Sequence, residues 1–69
     1  MEVFQINTPY IQLNQLLKVL NWVNDGAHAH AVIDEGLVQV NGQKEFRRRN
    51  KILPGMTVAF DGKKIKVTD

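Results

Sequence analysis

Sixty-nine residues with no cysteine and a formal net charge of +2 leave room for one small domain, and they rule out a disulfide framework or a thiolate metal site. No apolar run approaches the roughly 18 residues a membrane span needs. The opening MEVFQINT lacks the basic-then-apolar order of a secretory signal, so a soluble, cytoplasmic protein is expected. The charge is unevenly spread. Residues 1–43 hold Lys18 against Glu2, Asp25, Asp34 and Glu35, whereas residues 44–66 hold Lys44, Arg47, Arg48, Arg49, Lys51, Lys63, Lys64 and Lys66 against Glu45 and Asp61. Such polarity is the footprint of a polyanion binder, with a solvated charged face as its plainer reading.

In chain order, Val3, Phe4 and Ile6 predict a short opening strand at a sheet edge, and Thr8-Pro9 ends it. Leu13, Leu16, Leu17 and Leu20 fall at i, i+3, i+4 and i+7, which predicts a helix from about Gln12 to Leu20 with one apolar face. The connector Asn21–Asn24 is short enough to imply a helix–turn–helix arrangement. Trp22 is expected as a core anchor between the helices, with base stacking as its alternative. Asp25 is the N-cap of a second helix, on which Ala29, Val32 and Ile33 form the apolar stripe. Gly36 is placed to stop it.

After this helix, Val38 and Val40 line one face of a strand, and Asn41-Gly42 turns the chain back through Gln43–Phe46. Phe46 is expected to plug the core, with Arg47 to Arg49 emerging into a loop or irregular strand. Ile52-Leu53 dips inside and Pro54-Gly55 turns again. Thr57–Phe60 and Lys63–Val67 flank Asp61-Gly62 as a second hairpin with type I′ chemistry. No repeat, linker or low-complexity segment is present. The expected fold is α+β: two N-terminal helices packed on a small, mostly antiparallel, twisted sheet, forming one domain over residues 1–69.

The run Gly36-x-Val38-x-Val40-Asn41-Gly42, preceded by an alanine-bearing helix and followed by Pro54-Gly55, resembles the ribosomal-protein S-four-like RNA-binding domain, or αL motif. The resemblance covers roughly Ile11 to Val67 and is strongest to the small stand-alone bacterial members of the YbcJ/YaaA kind. It implies RNA, often ribosomal RNA, as the partner. Four departures from the family pattern stand out: Gln12-Leu13-Asn14 replaces Arg-Leu-Asp, Asp25-Gly26 replaces Ser-Arg, only His28 and His30 stand for the basic residues common on the second helix, and Met56 replaces an acidic residue. They imply that RNA contact has moved from the helices to the arginine run.

Arg47, Arg48, Arg49 and Lys51 are the leading contacts, because guanidinium forks bind phosphate oxygens in pairs and stack on unpaired bases. In an extended run Arg47, Arg49 and Lys51 share a face and Arg48 points the other way. Gly26 and Ala27 open the second helix, where free N–H groups attract anions; Asp25 competes for those donors as a cap. The arginines are expected on the same side as this helix start. His30, Lys18 and Lys44 are secondary contacts. Lys63, Lys64 and Lys66 either extend the patch or protect an edge strand. His28 and His30 are two apart on a helix and do not face each other, so no metal site is expected.

Neither a cofactor nor catalysis is indicated. Asp34 and Glu35 diverge on their helix, and a domain this small cannot enclose a substrate. The resulting expectation is a monomeric, non-catalytic RNA-binding protein, with no membrane and no small-molecule substrate. It would grip the backbone of structured, plausibly ribosomal RNA through the arginine loop and the start of the second helix. The alternative is an adaptor docking an acidic surface of a ribosomal or ribosome-assembly protein.

Overall fold

The structure, a computed structural model, describes residues 2–69. Its elements run β1 (Glu2–Gln5), β2 (Ile11–Gln12), α1 (Leu13–Val19), α2 (Gly26–Asp34), β3 (Val38–Val40), β4 (Gln43–Lys44), β5 (Lys51–Ile52), β6 (Thr57–Phe60) and β7 (Lys63–Thr68). Five strands form one sheet in the order β1-β7-β6-β3-β4, and β2 and β5 form a separate two-stranded pair. Every pairing is antiparallel except that of β1 with β7.

Both helices end in the same way. After α2, Gly36 takes φ +74°, its N–H donates to the Ile33 carbonyl, and the Leu37 N–H donates to that of Val32. This is the Schellman arrangement, which needs a left-handed residue after the last turn. After α1, Asn21 at φ 58° does the same, with Asn21 donating to Lys18 and Trp22 to Leu17. The two-residue hairpin loops Asn41-Gly42 and Asp61-Gly62 have positive φ at both positions, which is the type I′ geometry that matches strand twist.

The core lies between the helices and one face of the sheet. Leu13, Leu16, Leu17, Ala29 and Ile33 come from the helices, and Val38, Val58, Ile65 and Val67 from the strands. Trp22 is half-buried and packs against this cluster. Lys64 and Lys66 alternate with Ile65 and Val67 and point to solvent.

Four expectations are corrected. The helices are not N-terminal: β1 and β2 come first and the helices occupy residues 13–34. Strand β1 has a structural reason to be there, because it closes the sheet along β7 and the Ile6 N–H donates to the Thr68 carbonyl at 2.8 Å. Lys63, Lys64 and Lys66 do not guard an edge, since β7 lies between β1 and β6. Phe46 does not plug the core: it is 58% exposed. Strand β4 ends at Lys44, and the side chain that turns inward after it is Glu45, only 14% exposed. Leu53 likewise stays outside while Ile52 is fully buried.

Candidate nucleic-acid interface

The arginine run is a tight, self-braced turn, not an extended strand. The Glu45 N–H donates to the Val38 carbonyl and continues the β3–β4 ladder by one bond. The Glu45 carboxylate then becomes the hub of the loop. It accepts from the Arg47 N–H at 3.0 Å, from Arg47 Nε at 2.9 Å and Nη2 at 3.2 Å, and from Asn50 Nδ2 at 3.1 Å. The Arg47 guanidinium first, and then the Arg47 backbone N–H, hold the carboxyl below the usual glutamate range against the opposing effect of burial. The chain reverses where the Asn50 N–H donates to the Arg47 carbonyl.

The turn is fastened to both helices. The Arg48 and Asn50 carbonyls accept the N–H groups of Asn14 and Leu13, at 3.0 and 2.9 Å. Helix α1 has no side-chain cap from Gln12, so the arginine turn supplies acceptors for the free donors of its first turn. From the same turn Arg48 reaches α2, where Nε and Nη2 donate to the two Asp34 oxygens at 3.1 and 2.6 Å. Asp34 is the last residue of α2, a position the helix dipole makes unfavourable for a carboxylate. The Arg48 hydrogen bond lowers its pKa against the desolvation that raises it, and the charges of Arg48 and His30 add to the lowering.

Arg47, Arg49, Asn50 and Lys51 line one open depression of about 370 Å³. At its rim the Lys51 ammonium lies 5.0 Å from the Tyr10 ring centroid, within cation–π range. Arg49 makes no ion pair among the described residues. Arg47 and Arg48 each use two of five guanidinium N–H donors on a carboxylate side chain. Three donors remain on each, so pairing orients these groups without exhausting them. Five cations, Lys44, Arg47, Arg48, Arg49 and Lys51, stand against Glu45 and Asp34 here.

The other candidates divide into two places. His30 belongs with the loop: its Nε2 lies 3.4 Å from Asn14 Nδ2, on the residue whose N–H meets the Arg48 carbonyl. Lys44 does too, one residue before Glu45 and exposed. Gly26, Ala27 and Lys18 do not. The arginine turn binds the start of α1 and the end of α2, whereas Gly26 and Ala27 open α2, about 12 Å away along its axis at 1.5 Å per residue. Lys18 lies in the last turn of α1. The expected union of arginines and the α2 start is therefore not what the fold builds: the start of α1 lies beside the end of α2. At the α2 start, Asp25 Oδ1 accepts the His28 N–H at 2.8 Å, and His28 Nδ1 accepts the Asn24 N–H at 3.1 Å.

Comparison with known proteins matches residues 4–68 to the S4 domain model. This chain belongs to the S4 domain family. It is 44% identical over 59 residues to the putative RNA-binding protein YbcJ of Escherichia coli, spanning 86% of this chain and 84% of that protein. The uncharacterized protein YbcJ of Shigella flexneri matches to the same extent. The solution structure of E. coli YbcJ, described as revealing an αL motif involved in RNA-binding, superimposes with a TM-score of 0.75 at 40% identity. That match covers all of this chain and 89% of YbcJ, so the α+β arrangement of this S4 domain is the fold of its relative. Among the described residues no helix is long and apolar enough to cross a membrane.

Proposed function

We propose that this S4 domain is a non-catalytic RNA-binding module that acts in the cytoplasm as a monomer and grips the backbone of structured, ribosomal RNA. The observation that carries the reading is the depression in which Arg47, Arg49 and Lys51 converge, with Arg48 fixed beside it on α2. Phosphate oxygens match the free guanidinium donors in charge and geometry. The name and described motif of YbcJ support the same partner. Shape and phosphate contacts, rather than base edges read in a groove, suit a surface of short cationic loops. His30 and Lys44 flank the central contacts; Gly26, Ala27 and Lys18 act as outlying ones, for an RNA long enough to pass along the helices.

The test is filter binding of ribosomal RNA to the wild type and to the chain with Arg47, Arg48 and Arg49 all changed to Ala, across a salt series. About four phosphate contacts give a logarithmic salt slope near −3 to −4, and the triple change is expected to remove most of that slope together with the affinity. Equal affinity and equal slope for the two proteins would overturn the assignment.

A further inference from the structure

Phe46 poses the plainest unanswered question in the molecule. It is a phenylalanine left 58% exposed in the middle of the most highly charged stretch of the chain. Its ring is nevertheless held in place. A Cβ at Gly36 would lie 3.1 and 3.2 Å from its Cε1 and Cζ atoms and 3.5 Å from Lys44 Cδ. Two ring carbons therefore lie close against the bare Gly36 backbone just after α2, while the residue stays more than half exposed. Two residues further on, Arg48 is fixed to Asp34, two residues before Gly36. Lys44, Phe46 and Arg48 thus alternate along the chain and gather at the C-terminal end of α2, while Glu45 turns inward to Arg47 and Asn50.

We propose that Lys44, Phe46 and Arg48 form a stacking site for an unpaired base, so that the RNA this domain prefers carries a bulge, loop or single-stranded end beside the phosphates held by the arginine turn. The inference rests on the RNA reading above and narrows its substrate class. An exposed aromatic ring held by a close backbone contact offers a surface on which bases stack regardless of sequence. The cations on either side of it attract the flanking phosphates, and the guanidinium of Arg48 offers a second planar group. A fully paired duplex keeps its bases inside and cannot use the ring. A purely apolar protein partner is disfavoured by the charges on both sides, Lys44 and Arg48.

The experiment compares two RNAs of equal length, a hairpin with an unpaired loop and a perfectly paired duplex, against wild type, Phe46→Ala, Phe46→Leu and Phe46→Trp. Fluorescence anisotropy measures affinity, and thermal unfolding checks that each variant folds, as an exposed position allows. Wild type is expected to prefer the loop RNA. Phe46→Ala and Phe46→Leu lose about tenfold on the loop RNA and nothing on the duplex, with the salt slope unchanged, and Phe46→Trp retains the preference. Full affinity for loop RNA in Phe46→Leu, or equal losses on both RNAs, overturns the stacking site and leaves the RNA reading standing. Binding of neither RNA by the wild type overturns both. Loss of a protein complex or of self-association in Phe46→Ala, with RNA affinity intact, assigns the ring to a protein partner and defeats the proposal.

Discussion

Arg48 and Asp34, fourteen positions apart, are joined by two hydrogen bonds of 3.1 and 2.6 Å. Through them the arginine turn is anchored to the end of α2, while its backbone carbonyls hold the start of α1. The loop that carries the cations is thus the clasp between the two helices. Its shape is imposed by the fold and not left to a flexible chain. Preformed donors lose less freedom on binding, which is why a short loop can serve as a recognition surface.

The clasp uses a carboxylate to hold a cation, and that sets up a test. Asp34→Asn removes the charge but keeps the size. Both partners are about half exposed, so the loss of stability is expected to be small. Affinity for RNA is expected to fall, because Arg48 loses the partner that orients its remaining donors. One lost phosphate contact makes the logarithmic salt slope shallower by about 0.7 to 0.9. Filter binding at several salt concentrations measures both; a tighter, steeper response would mean that the ion pair withholds Arg48 from RNA.

Gly36 answers to two demands, a φ of +74° and the ring of Phe46 at 3.1 Å. Gly36→Ala is expected to destabilise the domain by about 1 to 2 kcal/mol from the left-handed backbone alone. Displacing the ring adds to this. The double variant Gly36→Ala with Phe46→Ala removes the steric part and leaves the backbone part. Urea unfolding of the two single variants and the double variant separates them, and strictly additive effects would show that the ring moves aside at no cost.

Much of this was legible in the sequence. The leucine spacing gives α1 to within its caps, and Asn41-Gly42 and Asp61-Gly62 give both hairpins, because each rests on local chemistry. The parallel pairing of β1 with β7 joins the two ends of the chain, and no local pattern encodes it. Strands β2 and β5 have two residues each and pair where the arginine turn meets the start of α1. An aromatic among charges reads as core, which is why the sequence places Phe46 inside. The signal that corrects it is the alternation of Lys44, Phe46 and Arg48 against Glu45, which has hydrogen-bond donors waiting inside. The position of the arginines relative to α2 depends on how the helices lie together, which their periodicity does not specify.

Acid should loosen the same clasp. Asp34 and Glu45 titrate below their ordinary values of 3.8 and 4.5 in the folded chain. The unfolded chain therefore binds more protons in that range, and the contribution of both groups is complete above it and lost as pH falls through the folded values. Urea midpoints measured from pH 6 down to pH 3 are expected to fall most steeply below about pH 4.5, by a modest amount because both arginine partners are exposed. In a variant with Asp34→Asn and Glu45→Gln together the decline should be visibly flatter. An unchanged decline would trace acid sensitivity to other carboxylates.

The start of α2 offers the cleanest separation of structural from binding roles. Gly26 is the first helical residue, its φ lies outside the left-handed region, and a side chain there would meet nothing within 4 Å. No neighbour requires a glycine at that position. Gly26→Ala is therefore expected to stabilise the domain by about 0.4 to 1 kcal/mol, chiefly by restricting the unfolded chain. For a domain of this size that corresponds to a rise in Tm of roughly 2 to 8 °C. If Gly26 is only an outlying contact, RNA affinity stays within about twofold of wild type, since the arginine turn lies at the other end of the helix. A gain in Tm with a large loss of affinity would mean that a phosphate closely approaches Gly26, and that Asp25 gives up the His28 N–H when RNA binds.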